Sequence, residues 1–392
     1  MRSGADAAVH RPPPRTDAST RPGSLTVPIP APGATPEHTD PRGSTPSPRS
    51  WRIGLLATGL LLILAFSVLV AIGLGSAVVP PQDTARYLWT AVVGGTITPE
   101  ELTRYQIVWN IRAPRVLLAA VVGAGLATVG AAIQALVRNP LADPYILGVS
   151  SGASVGAVTV SLFGALSLLG IYAVSVGAFL GALGATLLVY AIAHSRSGIT
   201  PLKLVLTGVA LSFGFQAIMS VLIYFAPSAE ATSMVLFWTM GSFGAATWGG
   251  LPLVVVVVGL GILVLRRSSR ALDVMSLGDE SAASLGVDTA RTRRLLFAVT
   301  AVMTGAMVAL SGAIGFVGLV IPHITRMIIG ASHTRLLLIS PLIGSILMVW
   351  VDLLARTVVA PRELPLGALT ALIGVPVFIL LMRRRGYVFG GR

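Results

Sequence analysis

Four small groups of residues have types and spacings that could do chemistry, and none is the set a catalyst needs. His323 and Arg326 follow Pro322 inside an apolar stretch. A lone histidine in such a place is more often a satisfied structural group than a metal ligand. Asp352 and Arg356 stand four residues apart, the spacing that pairs opposite charges along one helix face. Ser212, Gln216, Ser220 and Tyr224 recur every fourth residue and so share a face. Such a polar line either edges a water-filled conduit or serves as hydrogen-bonding glue between helices, and the spacing alone fits both. Finally, Gly278, Asp279 and Glu280 precede Ser281 to Leu285 and Gly286. Carboxylates favour a helix start and glycine a left-handed helix end, so a short helix is expected over 281–285.

Absences narrow the chemistry further. The sequence has no HExxH pair, no paired carboxylates and no glycine-rich phosphate loop ending in Gly-Lys-Ser/Thr. It has no cysteine, which excludes disulfides and thiolate sites. No series of acids suited to a proton relay is present. The chain is therefore expected to be no enzyme, to hold no cofactor or metal, and to draw any driving force from a partner.

The elements that position these groups follow from hydropathy. Of 392 residues, 54% are hydrophobic and 11% charged, and apolar runs of about 20 residues match a hydrocarbon core of about 30 Å. An all-α, polytopic membrane fold is expected, with ten spans near 53–79, 116–137, 144–164, 170–193, 201–226, 235–265, 295–313, 314–330, 335–357 and 364–383. Residues 1–50 are crowded with Pro, Ser, Thr and Arg and read as a disordered tail outside a membrane domain over 51–392. The net charge of +13 sits in short clusters between apolar runs, which fits the positive-inside rule rather than nucleic-acid binding. Arg138, Arg196, Lys203, the Arg266/Arg267/Arg270 and Arg291/Arg293/Arg294 clusters, Arg335 and Arg383 to Arg385 then face the cytoplasm, with both termini. Loops near 165–169 and 227–234 lack Lys and Arg and face outward with 80–115, where Asp83, Glu100 and Glu101 partly balance the arginines.

An internal repeat shapes the expectation for the eighth span. A shift that lays Gly123 on Gly305 also lays Ala127, Gly130, Pro140 and Gly148 on Ala309, Gly312, Pro322 and Gly330 without a gap. The copies begin on spans of opposite direction, so the halves form an inverted repeat, a design common to transporters. It places a bend near Pro322 and a broken or re-entrant eighth span. Gly123, Ala127, Gly130 and Ala131 are read as close-packing positions. The longest inward loop, 266–294, holds the expected short helix between basic anchors, either as a lever for a soluble motor or as a plain connection.

Several stretches together resemble one family. RAPRVLLAAVVGAGLA, QALVRNPLADPYILGVSSGA, LVLTGVALS, FWTMGSFGAATW, LGDESAASLGV, SGAIGFVGLVIPHITRMIIG and the run from Val351 to Arg385 are similar, in order and spacing, to the FecCD (type II importer) permeases. These belong to ATP-binding-cassette importers for iron siderophores, haem and vitamin B12. The resemblance implies ten helices, a second copy or a homologous permease across the substrate path, two cytoplasmic ATPase subunits and an extracytoplasmic substrate-binding protein. It implies that Gly278, Asp279, Glu280, Ala283, Leu285 and Gly286 seat in the ATPase. It also implies that Arg112, Arg115 and Arg356 project outward to pair with acids of the binding protein. An ion-gradient transporter, or an intramembrane enzyme around His323, Arg326 and Asp352, would leave the 266–294 loop without a role.

Overall fold

The computed structural model describes residues 48–75, 77–194, 200–226, 235 and 238–383. Most of the proline-rich tail, the 227–234 loop, Arg196, Arg384 and Arg385 lie outside the described residues. In hydrocarbon every backbone N–H and C=O must be satisfied within its own segment, so the apolar runs become helices. Six helices are long and apolar enough to cross a bilayer alone: Trp51–Gly73, Leu102–Val137, Ser167–Ala193, Pro201–Tyr224, Thr289–Ser311 and His333–Thr357. A pair bent by 58°, Leu251–Arg267 with Ser269–Met275, adds a seventh. Val149–Phe163, Val317–Ile329 and Leu366–Leu380 are shorter apolar helices. Each of the ten expected apolar spans thus has its helix.

The helices in chain order are α1 (Pro48–Gly73), α2 (Pro81–Val93), α3 (Leu102–Gln106), α4 (Ala113–Val137), α5 (Val149–Phe163), α6 (Ala173–Ala193) and α7 (Pro201–Tyr224). They continue as α8 (Leu251–Arg267), α9 (Ser269–Met275), α10 (Asp279–Ser284), α11 (Thr289–Ser311), α12 (Val317–Ile329), α13 (His333–Thr357) and α14 (Leu366–Arg383). A π-helical stretch, Ile107–Arg112, joins α3 to α4. The second span therefore begins well before 116. The sixth begins later than expected, at Leu251, because Gly241 at φ 74° turns the chain and receives the Leu366 N–H on its carbonyl.

Helix α4 is the centre of the membrane domain, buried on nearly every face. Its small residues admit neighbours at backbone distance. A Cβ on Gly123 would sit 2.2 Å from the Gly344 carbonyl oxygen of α13, and one on Gly130 would sit 2.0 Å from that of Gly318 on α12. Helices α4 and α11 run antiparallel. Gly125 lies against Met307, while Val129 and Ile133, further along α4, share a small void with Thr304 and Thr300, earlier on α11. Opposed first helices are what an inverted repeat requires, and the second helix is the short one in both halves (α5, 15 residues; α12, 13).

The gap-free register does not survive past these first helices. Helix α11 ends at Ser311, whereas α4 continues beyond the matching Gly130. Pro140 lies in the turn after α4, whereas Pro322 lies inside α12. The break in the eighth span accordingly falls at 312–316, where Gly312 and Phe316 have φ of 64° and 68°, and not at Pro322. Proline removes the N–H that would bond the carbonyl four residues back and normally kinks a helix. Here that carbonyl, Gly318, accepts instead from the Gln134 side-chain amide at 3.2 Å, with Leu319 O at 3.3 Å. The Gln134 Oε1 in turn accepts from Arg326.

Candidate functional site

Three polar regions stand out against the apolar frame, at the N-terminal end of α4, beside the turn that follows it, and at the residue that caps it. At the N-terminal end, Arg112, Arg115 and Arg356 are 5%, 6% and 9% exposed, and Asp352 between them is fully buried. Arg115 donates from Nε to Asp352 Oδ1 at 2.7 Å and forks onto Glu363 at 2.7 and 3.1 Å. Arg356 donates to Asp352 Oδ2 at 3.2 Å, so the pair expected from the four-residue spacing forms.

The arginines do not project outward as expected. A helix end leaves four carbonyls without intrahelical partners, and a nearby arginine can satisfy them. Helix α1 ends at Gly73, where the Leu74 and Val79 N–H groups reach Val70 O and Gly73 O, and Arg112 adds donations to Ile72 O, Gly73 O and Ala77 O at 3.2, 2.9 and 2.6 Å. Arg356 adds donations to Leu74 O at 2.7 Å and to Ala71 O. The half-exposed charge of the cluster is the Glu363 carboxylate, which sequence reasoning passed over. Its signal was an acid in the loop entering the tenth span, on the arginines' side of the membrane.

In the segment before α4, Arg86 pairs with Glu101 and stands 3.6 Å from Asp83. The Arg86 hydrogen bond holds the partly exposed Glu101 carboxyl below its usual range. Arg86 also lies over the Tyr87 ring, 5.1 Å from its centroid.

Beside the turn that follows α4 lies a groove of about 520 Å³, open on one side, lined in part by Asp143, Tyr145, Ser212, Gln216 and Phe316. Asn139 and Asp143 shape its rim by local side-chain bonds, accepting from the Leu141 and Tyr145 N–H groups at 2.9 Å each. Tyr145 ties the rim to the break in the eighth span, where its hydroxyl accepts from the Ile314 N–H at 3.1 Å. Asp143 before Pro144 was a readable helix-start signal that had not been taken as a site residue. Of the four-residue stripe, the groove holds Ser212 and Gln216, while Ser220 and Tyr224 are exposed further along α7. Ser212 donates to Gly208 O and Ser220 to Gln216 O, so these hydroxyl protons are spent inside α7.

At the last residue of this frame, Arg138 adopts the left-handed conformation (φ 54°, ψ 36°) that ends α4. Its guanidinium reaches Asp279 Oδ1, which also accepts from Arg293 at 2.8 Å. The short helix begins at Asp279 and not at Ser281, because this carboxylate is drawn to the arginines and caps no backbone N–H. Gly286 has φ 78°, the left-handed turn expected of it, with its N–H on Ala283 O and that of Val287 on Ala282 O. Ala282 is fully buried, while Glu280, Ala283 and Gly286 are exposed, with Leu277 at 66% and Leu285 at 64%. Neighbouring α9 is pinned to the start of α13: Asp273 Oδ1 accepts the His333 N–H at 2.7 Å and meets its Nδ1 at 2.7 Å.

Known proteins are similar to this chain in sequence and fold. Residues 62–384 match the FecCD transport family. The chain is 41% identical over 337 residues to the hemin transport system permease HmuU of Yersinia pestis, covering 84% of this chain and 96% of that one. It is 37% identical over 332 residues to the iron(3+)-hydroxamate import system permease FhuB of Bacillus subtilis (84% and 83%). A solved ABC transporter described as of metal-chelate type, in an inward-facing conformation, superposes with a TM-score of 0.72 at 34% identity, covering 84% of this chain and 99% of the other. With ten apolar helices, an inverted pair of halves and a match spanning most of its length, this multi-pass membrane chain belongs to the FecCD family of ABC transporter permeases.

Proposed function

We propose that this chain is the permease subunit of an importer that carries an iron-siderophore complex, or a related metal chelate such as haem or cobalamin, across the cytoplasmic membrane. Separate cytoplasmic ATPase subunits grip α10 and supply the energy, and a substrate-binding protein delivers cargo from outside. The observation that carries this reading is the exposed Leu277–Gly286 surface. Two large apolar side chains, Leu277 and Leu285, flank a short helix that displays Glu280, whose far side is buried at Ala282 and whose start is clamped to two spans. Exposed apolar side chains so placed fit a partner's cleft better than a plain connection.

The path is read along α7. Among the six long helices it is the least buried, at 11% of its apolar window, which leaves it open to a second copy or a homologous permease. Its stripe of Ser212, Gln216, Ser220 and Tyr224 would then line the space between them. Because the Ser212 and Ser220 hydroxyls already donate within α7, conduit fits better than interhelical glue. Hemin and hydroxamate relatives both handle bulky chelates, and a groove walled largely by apolar and uncharged residues suits such cargo.

The basic clusters lie at the same end of the bundle as the α10 clamp, which supports a topology with α10 on the cytoplasmic side. The binding protein meets the opposite end. There the Arg112, Arg115 and Arg356 cluster acts through its excess of three cations over two carboxylates, with Glu363 the group a partner cation reaches first. Such a field steers encounter and register more than it adds affinity.

The test is purification with the co-encoded ATPase and binding protein, identification of the ligand the latter carries, and uptake of that ligand into proteoliposomes. Uptake requires ATP and is lost in Glu280→Lys and Gly286→Val while the chain stays folded. Accumulation without the ATPase that collapses with an uncoupler refutes the reading.

A further inference from the structure

Asp279 holds two spans at once. Its Oδ1 accepts from Arg138, the residue that ends α4, and at 2.8 Å from Arg293, in the second turn of α11. Arg293 is 7% exposed, so its end of the joint is set into the bundle, while the Arg138 and Asp279 side chains are 29% and 42% exposed. Arg138 sits at φ 54°, a left-handed conformation that disfavours a side chain. Glycine or asparagine usually fills this helix-ending position. Here it is an arginine, and its side chain reaches Asp279. The first helices of the two inverted halves, α4 and α11, thus meet on one carboxylate at the start of α10.

We propose that the Arg138–Asp279–Arg293 trio is the joint through which movement of α10 is delivered to both halves, making Asp279 and Arg138 positioning residues for energy coupling. The proposal rests on α10 seating in an ATPase. Two guanidiniums sharing one carboxylate fix its direction as well as its distance, because charge-assisted bonds are short and strongly oriented. A displaced α10 therefore pulls α4 and α11 together instead of sliding past them.

The chain contains no cysteine, so a single introduced thiol reports without background. Leu141, three residues past Arg138 and on the groove wall, is the reporter site. Leu141→Cys is placed in the permease–ATPase complex in nanodiscs, and its rate of reaction with a polar maleimide is compared without nucleotide and with the ATPase trapped by ATP and vanadate. In the parent the rate changes at least threefold. In Arg138→Gln that response falls below about 1.5-fold, while co-purification with the ATPase and the unfolding midpoint stay near the parent's, and Arg138→Lys restores most of it; Asp279→Asn loses the response as well.

A parent rate that ignores nucleotide, or variants that respond like the parent, overturns the joint. Loss of ATPase association in Arg138→Gln, which lies off the exposed face of α10, also overturns it, by assigning the trio to shaping the seat. The seating itself is checked apart: Leu285→Arg must release the ATPase, and if it does not, the reading of α10 fails whatever Asp279 does.

Discussion

Replacing Gln134 tests whether a side chain stands in for the hydrogen bond that Pro322 removes. Gln134→Leu keeps the volume near the original but withdraws the amide that donates to Gly318 O and Leu319 O, and the oxygen that accepts from Arg326. A buried carbonyl left without a donor costs about 1–3 kcal/mol, and loss of a bond to a charged group about 1.5–3 kcal/mol. The expected destabilisation is about 2.5–6 kcal/mol. Pro322→Ala returns an N–H to α12 that can bond Gly318 O along the helix, so in that background only the Arg326 contribution is lost. The cycle of parent, Gln134→Leu, Pro322→Ala and the double variant should therefore show a coupling of about 1–3 kcal/mol, the double variant being more stable than additivity allows. Denaturant titration in a defined micelle, followed by tryptophan fluorescence, reads all four midpoints. Additivity within about 0.5 kcal/mol would refute the substitution of one donor for the other.

Three further outcomes follow from the geometry. Gly130→Ala puts a methyl 2.0 Å from the Gly318 carbonyl oxygen and 2.6 Å from its Cα, so α4 and α12 must separate; a loss of about 1–3 kcal/mol is expected in the same titration. Asp352→Asn removes the fully buried partner of Arg115 and Arg356, and because Arg115 retains Glu363, the cost should sit near 3 kcal/mol, the low end for a broken buried pair. Asp273→Asn withdraws the carboxylate that accepts the His333 N–H and meets its Nδ1, loosening the tie between α9 and α13, and a loss of about 1.5–3 kcal/mol is expected in the same titration.

What the sequence made legible was what depends on one segment at a time. Ten apolar runs are set by the bilayer, Gly286 by the only residue type at ease in its turn, and the Asp352–Arg356 pair by helical spacing. What escaped it depends on two segments meeting. Arg112 reads as an outward charge until the end of α1 is beside it with carbonyls that accept from its guanidinium. Pro322 reads as a bend until Gln134, from the other half, supplies the missing donor. Asp279 reads as a helix-starting carboxylate until Arg138 and Arg293 converge on it. In each case a local rule named a need correctly, and a distant residue met it in place of the local one.

These distant partners converge on α4. Arg112 and Arg115 lie at its outer end, Gly123, Gly130 and Gln134 at its contacts with α13 and α12, and Arg138 at its inner end. From Arg115 to Arg138 the helix spans about 35 Å at 1.5 Å per residue. Along that length, backbone meets backbone at Gly123 and Gly130, which leaves no slack for the helix to bend without forcing its neighbours apart. A helix held this way shifts as a rod between discrete packings. The outer ion cluster and the inner joint then cannot change independently. Whatever favours one packing from outside must alter the affinity for the state selected from inside by the same factor, since coupling between binding events is reciprocal. On the proposed reading, the signal carried across the membrane is the position of one helix.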